Sequence, residues 1–401
     1  MPAQRAIIKP ALLAWAREES GISIEDAAKK IGRDPEYLLA CERGDSQLTV
    51  RQLRILSNAY KRPLAFFYLP QPPQKSNALR DFRRPAQEEP QPESPKLRYE
   101  IRRARQRRKL ALELLEDLGE QPIEFTARAT LTENTFEVAR RLRTILRVTR
   151  AQQRNFEDEY DAFNTWRDVI ENMGVAVFQV AGVSGKEMLG FSFSEPILPV
   201  IALNMSDHPV RRIFTMMHEM AHLMLRTGGL CILNEAQEVE VFCNAVAGET
   251  LVPQAWLLDE PIIKARGPQR EWDEGLISAL SRRYRVSRET ILIRLVIARY
   301  ATREFYERKR EEYKQEYAAM EKAVALKRQR DKEEGKEGGG LAPSTRVVSE
   351  SGRMFVRLVL ENYRRDNINT SDVADYLDVR IKHLDKIAQA VEHPTLELGA
   401  A

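Results

Sequence analysis

Phe214-Thr215-Met216-Met217-His218-Glu219-Met220-Ala221-His222-Leu223-Met224-Leu225 is the stretch from which the rest of the chain is read. It carries His-Glu-x-x-His inside an apolar run with helical spacing. On an α-helix, His218 and His222 stand one turn apart and point the same way, so both imidazoles can reach one metal ion. Glu219, beside them, can act on a metal-bound water. The competing reading is an ordinary core helix with two buried histidines. The chain has only five histidines: His208, His218, His222, His383 and His393. His383 and His393 have no acidic or cysteine partner at ligand spacing and read as structural or surface residues.

Catalytic zinc commonly takes three protein ligands and leaves a position for water. No histidine follows closely after His222; Arg226-Thr227-Gly228-Gly229 comes next. The third ligand is therefore expected to be a carboxylate, with Glu235, Glu238, Glu240 and Glu249 on the next helix as candidates. Glu240, Asn244 and Ala247 fall at i, i+4 and i+7, on a single helix face, and the small Ala247 allows two helices to approach closely. Glu238 and Glu249 fall on other faces and read as solvent-facing or capping residues. Pro253 ends the helix.

Upstream the texture changes. Residues 174–180 read as a strand by β-branched content and length, 188–194 as a second and 199–204 as a third. Amphipathic helices precede them between 135 and 171, including 136–146 and 163–173. An extended substrate would pair with an exposed sheet edge, for which the 199–204 strand is the expectation. Arg211, Arg212 and the tyrosines remain open as oxyanion stabilisers.

These residues resemble the ImmA/IrrE family of metallopeptidases, the domain once called DUF955. Its members carry a Phe-Thr-x-x-His-Glu-x-x-His helix, then a Glu-x-x-x-Asn-x-x-Ala helix ending in Leu-x-Pro. Here those are Phe214-Thr215 to His222, then Glu240 to Ala247 and Leu251-Val252-Pro253. Val246 stands where the family often has Phe. The resemblance runs over 166–253 and more weakly to 317. It implies a zincin-like fold in which His218, His222 and Glu240 hold Zn2+, with Mn2+ as the alternative metal, and Glu219 is the catalytic acid/base. Glu219 would take a proton from the attacking water and return it to the leaving nitrogen.

Toward the N-terminus, residues 11–19, 24–31, 35–44 and 49–60 read as four short helices. Ser23 caps the second, Pro35 opens the third, and Gly44 stands where a left-handed residue closes it. Two short helices around the tight Gly32-Arg33-Asp34 connection are helix–turn–helix grammar. With Glu42-x-Gly44 and Gln52-Leu53, the segment resembles the XRE (Cro/C1-like) helix–turn–helix family, a frequent N-terminal fusion to ImmA/IrrE domains. The exposed start of its recognition helix is Asp34, Pro35, Glu36 and Tyr37, where carboxylates oppose a phosphate backbone. Arg33, Arg43, Arg51, Arg54, Lys61 and Arg62 offer phosphate contacts, so DNA and protein both remain open as partners.

Prolines crowd residues 71–95, which read as a linker. Leu79-Arg80-Asp81-Phe82-Arg83 interrupts it and is expected to dock onto a neighbour. In the basic run 96–109, Lys96, Arg98, Arg102, Arg103, Arg105, Arg107, Arg108 and Lys109 face only Glu100. It reads as the solvated side of a helix, with nucleic acid as the competing partner. Residues 276–297 form a second helix–turn–helix-like pair, read as packing support for the peptidase, with a reader of DNA or substrate as the competing reading. A long charged helix follows over 302–334, and the chain closes in a small helical unit.

The chain has 401 residues, with 63 basic against 59 acidic side chains, a balance that by itself points to no polyanion partner. No apolar run is long enough to span a membrane and no signal-peptide core follows Met1. The three cysteines, Cys41, Cys231 and Cys243, form no Cys-x-x-Cys pair, so a reducing, cytoplasmic setting is expected. The expected architecture is mostly α with a small β-sheet (α+β): an XRE-like domain at 8–70, a Pro-rich linker at 71–95, a zincin-like peptidase domain with helical extensions at 96–334, a Gly-rich linker at 335–345 and a helical domain at 346–401. The resemblance implies a site-specific zinc endopeptidase whose substrate is a regulatory protein, a helix–turn–helix repressor or antitoxin. The alternative is a DNA-binding XRE-type regulator whose metal domain senses a ligand or binds a protein.

Overall fold

The computed structural model describes residues 4–73, 82–83, 93–226, 233–334 and 341–392. Most of the Pro-rich linker, Cys231, the side chain of Glu235, the glycines of 335–340 and His393 lie outside them. The chain divides into two compact units, Met1–Leu79 with Ala86–Gln106, and Arg80–Pro85 with Arg107–Ala401.

The first unit is built on α1 (Pro10–Glu19), α2 (Ile24–Lys30), α3 (Pro35–Arg43) and α4 (Val50–Tyr60). Local chemistry sets the boundaries. The Ser23 hydroxyl accepts from the Asp26 N–H at 3.0 Å, Gly44 closes α3 at φ 91°, and Thr49 and Gln52 form a reciprocal capping box. Leu12, Leu13, Leu38, Leu53, Leu56 and Phe67 fill the core. Glu42 accepts both arms of Arg17, at 2.7 and 2.9 Å, and so ties α3 to α1.

The basic run lies in α5 (Pro95–Asp117). Within the first unit, Arg98 donates to the Glu18 carbonyl at 2.9 Å and Arg102 to the Glu19 carbonyl at 3.0 Å, at the carbonyl end of α1. Cations there satisfy helix-end acceptors and oppose the negative pole. Burial pushes the Arg102 guanidinium down to about 10. Of the eight basic side chains only Lys96 and Lys109 are exposed. The face read as solvated is largely engaged in packing.

In the second unit, α6 (Thr135–Leu146), α7 (Arg150–Arg154) and α8 (Glu159–Glu171) lead into the sheet. α8 starts earlier than its apolar pattern suggests because Asp158 caps it, accepting from the Tyr160 and Asp161 N–H groups at 2.8 Å each. The strands are β1 (Phe82–Arg83), β2 (Ala176–Val180), β3 (Gly190–Phe193) and β4 (Val200–Asn204), in the order β1-β3-β4-β2. β4 pairs parallel with β2 and antiparallel with β3, so the expected substrate-binding edge is an interior strand. Every residue of β4 is buried, as a strand covered on both faces requires. The Asn204 amide, at its end, donates to the Val183 and Met188 carbonyls at 3.1 and 2.8 Å, and its Oδ1 accepts from the Ser206 N–H at 2.9 Å, which fixes the turn that follows.

That turn leads into α9 (Pro209–Leu225), opened by Pro209 and buried almost throughout from Arg212 to Met224. α10 (Leu233–Leu251) lies against it. The short α11 (Gln254–Leu258) and α12 (Pro261–Arg266) follow, then α13 (Glu274–Tyr284) and α14 (Arg288–Ile297), the latter capped by Ser287. Gln153 of α7 donates to the Leu251 carbonyl at 2.8 Å and the Tyr284 carbonyl at 3.2 Å, which makes the α13–α14 pair a support for the end of α10. The charged α15 spans Arg303–Glu333, with Phe305 and Tyr313 in the core. Among the described residues no helix is long and apolar enough to cross a membrane.

The closing helices α16 (Pro343–Ser351), α17 (Arg353–Arg364), α18 (Thr370–Leu377) and α19 (Leu384–Glu392) fall in the second compact unit, not in one of their own. Gln179 of β2 donates to the Ser349 carbonyl at 2.9 Å, and the N–H of Met354 donates to Glu171 at 2.9 Å. Gly352 makes this docking possible. It sits at φ 83°, ψ 147°, and a Cβ there would lie 2.5 Å from Glu171 Oε1 and 2.8 Å from the Val177 carbonyl. Gly352→Ala is expected to cost about 2 kcal/mol or more through backbone strain and the clash, read as a melting transition several degrees lower in calorimetry. An unchanged transition would mean that α17 is not held by this contact.

Candidate metal centre

α9 and α10 bring together three donors distant in sequence. His218, His222 and Glu240 offer ligand atoms that all lie within 4.8 Å of one another. His222 Nε2 is 3.0 Å from His218 Nε2 and 3.1 Å from Glu240 Oε1, and His218 Nε2 is 3.4 Å from Glu240 Oε2. Metal bonds of about 2.0–2.1 Å in a tetrahedron place neighbouring donors about 3.4 Å apart. The spacings are close to that edge, so the donor set fits a small divalent ion with only slight opening.

The electrostatics agree. The His222 imidazole is pushed up to about 11: burial opposes its charge, but hydrogen bonds with Cys243 and Glu240 and the nearby Glu219 outweigh it. Burial pulls the Glu240 carboxyl upward, yet hydrogen bonds with His218 and His222 hold it well below the usual carboxylate range. Both shifts share one source, the close approach of the Glu240 carboxylate to the two imidazoles.

Second contacts set the orientation. His218 Nδ1 lies 3.0 Å from Asn244 Oδ1, which assigns the proton to Nδ1 and turns the Nε2 lone pair toward the other donors. Asn244 is one turn beyond Glu240, so one helix face supplies both a donor and its partner's support. The Ser192 hydroxyl of β3 donates to Glu219 Oε2 at 2.7 Å. β3 comes so close to α9 that a Cβ at Gly190 would lie 2.6 Å from Thr215 Cγ2 and 3.3 Å from Glu219 Oε1. A glycine within a strand is the signal of such an approach.

The other acidic candidates lie elsewhere. Glu238 is exposed, while Glu249 pairs with Arg294 and accepts from the Gln254 N–H at 3.0 Å. Arg212 is buried, donating to Gln179, and Arg211 lies 3.3 Å from Asp207. Ser192, Gly190 and Cys243 escaped the reading of the sequence. Gly190 had a local signal as a glycine within a strand, and Cys243 had its i+3 spacing from Glu240; Ser192 had none.

Residues 171–296 match the family model of the IrrE N-terminal-like domain, peptidase M78, and residues 13–67 match a helix-turn-helix model. The chain thus has the architecture of an XRE-type helix–turn–helix followed by an ImmA/IrrE peptidase domain. No curated protein matches it significantly. His218, Glu219, His222, Glu240 and Asn244 all fall inside the peptidase match.

Asn244→Ala is expected to weaken divalent-metal affinity by about 10–100-fold, measured by competition with a chromogenic chelator, while the melting profile of the metal-free protein changes little. Unaltered affinity would show that the His218–Asn244 contact does not orient the ring.

Proposed function

From a peptidase M78 domain preceded by an XRE-type helix–turn–helix, we propose that the protein is a zinc endopeptidase that cuts a regulatory protein of repressor or antitoxin type. The observation that carries this reading is the meeting of His218, His222 and Glu240 beside a buried Glu219 held by Ser192. On this reading the two histidines and Glu240 are the metal ligands and Glu219 is the catalytic acid/base. Zinc supplies Lewis-acid activation of water and of the peptide carbonyl when bound there, and manganese is the alternative ion.

The chain's own residues do the rest. Glu219 accepts the proton of the attacking water and delivers it to the leaving amide nitrogen. The Ser192 hydroxyl holds one carboxylate oxygen, which limits the conformations Glu219 visits between the two transfers. Asn244 keeps His218 in the tautomer that presents Nε2. Burial of Glu219 and both histidines keeps bulk water from competing for these protons.

The helix–turn–helix supports a regulatory target. At the start of α3, Arg33, Asp34 and Glu36 are exposed, and Leu39 is exposed further along. Tyr37 is engaged internally, its hydroxyl donating to the Gln47 carbonyl at 2.9 Å. Two carboxylates and a leucine on that face suit a protein partner, a related helix–turn–helix included, better than a phosphate backbone. The second reading, a DNA-binding regulator, rests on the helix-turn-helix match itself.

Glu219→Gln separates the two. It is expected to lower cleavage by about 10²–10⁴-fold with metal binding retained. The readout is the set of new protein N-termini that appear in cells expressing the wild-type chain and disappear with the variant. Identical N-termini from both would sink the peptidase reading. For the DNA reading, the corresponding result is a salt-sensitive shift of DNA from the protein's own promoter.

A further inference from the structure

The sheet edge beside Glu219 is already taken. One side of β3 pairs with β4, and on the other Phe82 and Arg83 pair antiparallel with Phe191 and Gly190. This part of β3 borders the proton-transfer group, since Ser192 donates to Glu219 at 2.7 Å and a Cβ at Gly190 would lie 3.3 Å from Glu219 Oε1. β4 has both edges paired, and β2 stands beyond it. Among the described residues, the outer edge of β3 is therefore the sheet edge that reaches Glu219.

An extended peptide binds such an edge through its backbone N–H and C=O groups. Phe82–Arg83 binds in that mode, in the antiparallel sense, with Arg83 opposite Gly190. We propose that the outer edge of β3 is a docking surface for extended peptide segments, and that the chain's own Phe82–Arg83 strand is its resident occupant, which an incoming peptide displaces.

Sequence and geometry both suit a displaceable occupant. Among the described residues the ladder is two residues long, far short of an independently stable pairing. Pro85 follows two residues later and Pro90, Pro92 and Pro95 beyond it. Proline brings no N–H to a ladder, so the C-terminal flank is poorly suited to extending it. A longer peptide without prolines offers more backbone bonds and wins the edge. That the incoming peptide is the substrate rests on the peptidase reading above; the docking itself does not.

The test separates docking from cleavage. Both the full chain and its F82P/R83P variant carry Glu219→Gln, so that no cleavage intervenes. The double substitution removes both N–H groups, so whichever of the two faces β3 is lost. A fluorescent peptide with the sequence of residues 79–88 is titrated into each protein, and hydrogen exchange is followed over β3. The expected result is outward-facing amides of β3 that exchange at least about tenfold faster in the proline variant. The peptide should bind that variant at least about tenfold more tightly than the unsubstituted edge and restore its protection. Equal peptide affinity, or unchanged exchange over β3, overturns the proposal. If Glu219→Gln leaves cleavage intact, the peptidase reading fails instead and the docking result stands.

Discussion

Two helices have to lie close enough for a carboxylate on one to meet two imidazoles on the other, and the second unit is arranged around that contact. α10 turns Glu240 toward α9, with Ala247 and Val246 buried on the same helix. On its other side α9 is pressed by the sheet, where Gly190 leaves no room even for a methyl group. His218 is fully buried and His222 nearly so. Polar groups taken that far out of water are tolerated when each finds a partner. Asn244 serves one face of His218, and the Glu240 carboxylate lies against the inward nitrogens of both imidazoles. The site is therefore an electrostatic unit, and removing any one member exposes the desolvation cost of the others.

Local features of this arrangement were legible in the sequence. The His-Glu-x-x-His spacing placed both imidazoles on one face of α9, and the i, i+4, i+7 pattern placed Glu240 with Asn244 and Ala247. Strands expected at 174–180, 188–194 and 199–204 correspond to β2, β3 and β4 with ends trimmed by one or two residues. Strand order was not legible, and the expected edge proved to be interior. The signal was nevertheless there: Val200-Ile201-Ala202-Leu203 is an unbroken apolar run, whereas a half-exposed strand alternates. Ser192 reaching Glu219 is a contact across 27 positions with no local trace.

Charge and composition misled in a related way. The basic run of α5 looked like a surface, yet Arg98 and Arg102 spend their donors on the carbonyl end of α1. A guanidinium carries several N–H groups and a long apolar stem, so it can be absorbed into packing where a run of lysines would stay in water. The divisions between the two compact units at Leu79 and Ala86 fall within the proline-rich 71–95, whereas the closing helices are grouped with the second unit. The buried Glu171 carboxylate accepts the Met354 N–H at the start of α17 and draws the closing helices onto α8 and β2. Burial raises the pKa of that carboxyl, against the opposing pull of Arg167 and of the Met354 N–H.

A peptidase that binds extended chains must keep a strand edge free, and free edges are what stable sheets avoid. A two-residue cover reconciles the demands: it caps the ladder of β3 against uncontrolled pairing and yields to a longer strand. Backbone pairing distinguishes extended from folded segments but reads almost nothing of sequence. On the proposed reading, selectivity for one regulatory partner would then come from other parts of the chain. The cover lies in sequence between the helix-turn-helix match, which ends at 67, and the peptidase match, which begins at 171. On the proposed reading, a partner held by the helix-turn-helix would be tethered to the same chain as the strand that covers the edge, which would raise the local concentration at which its extended segments compete with that cover.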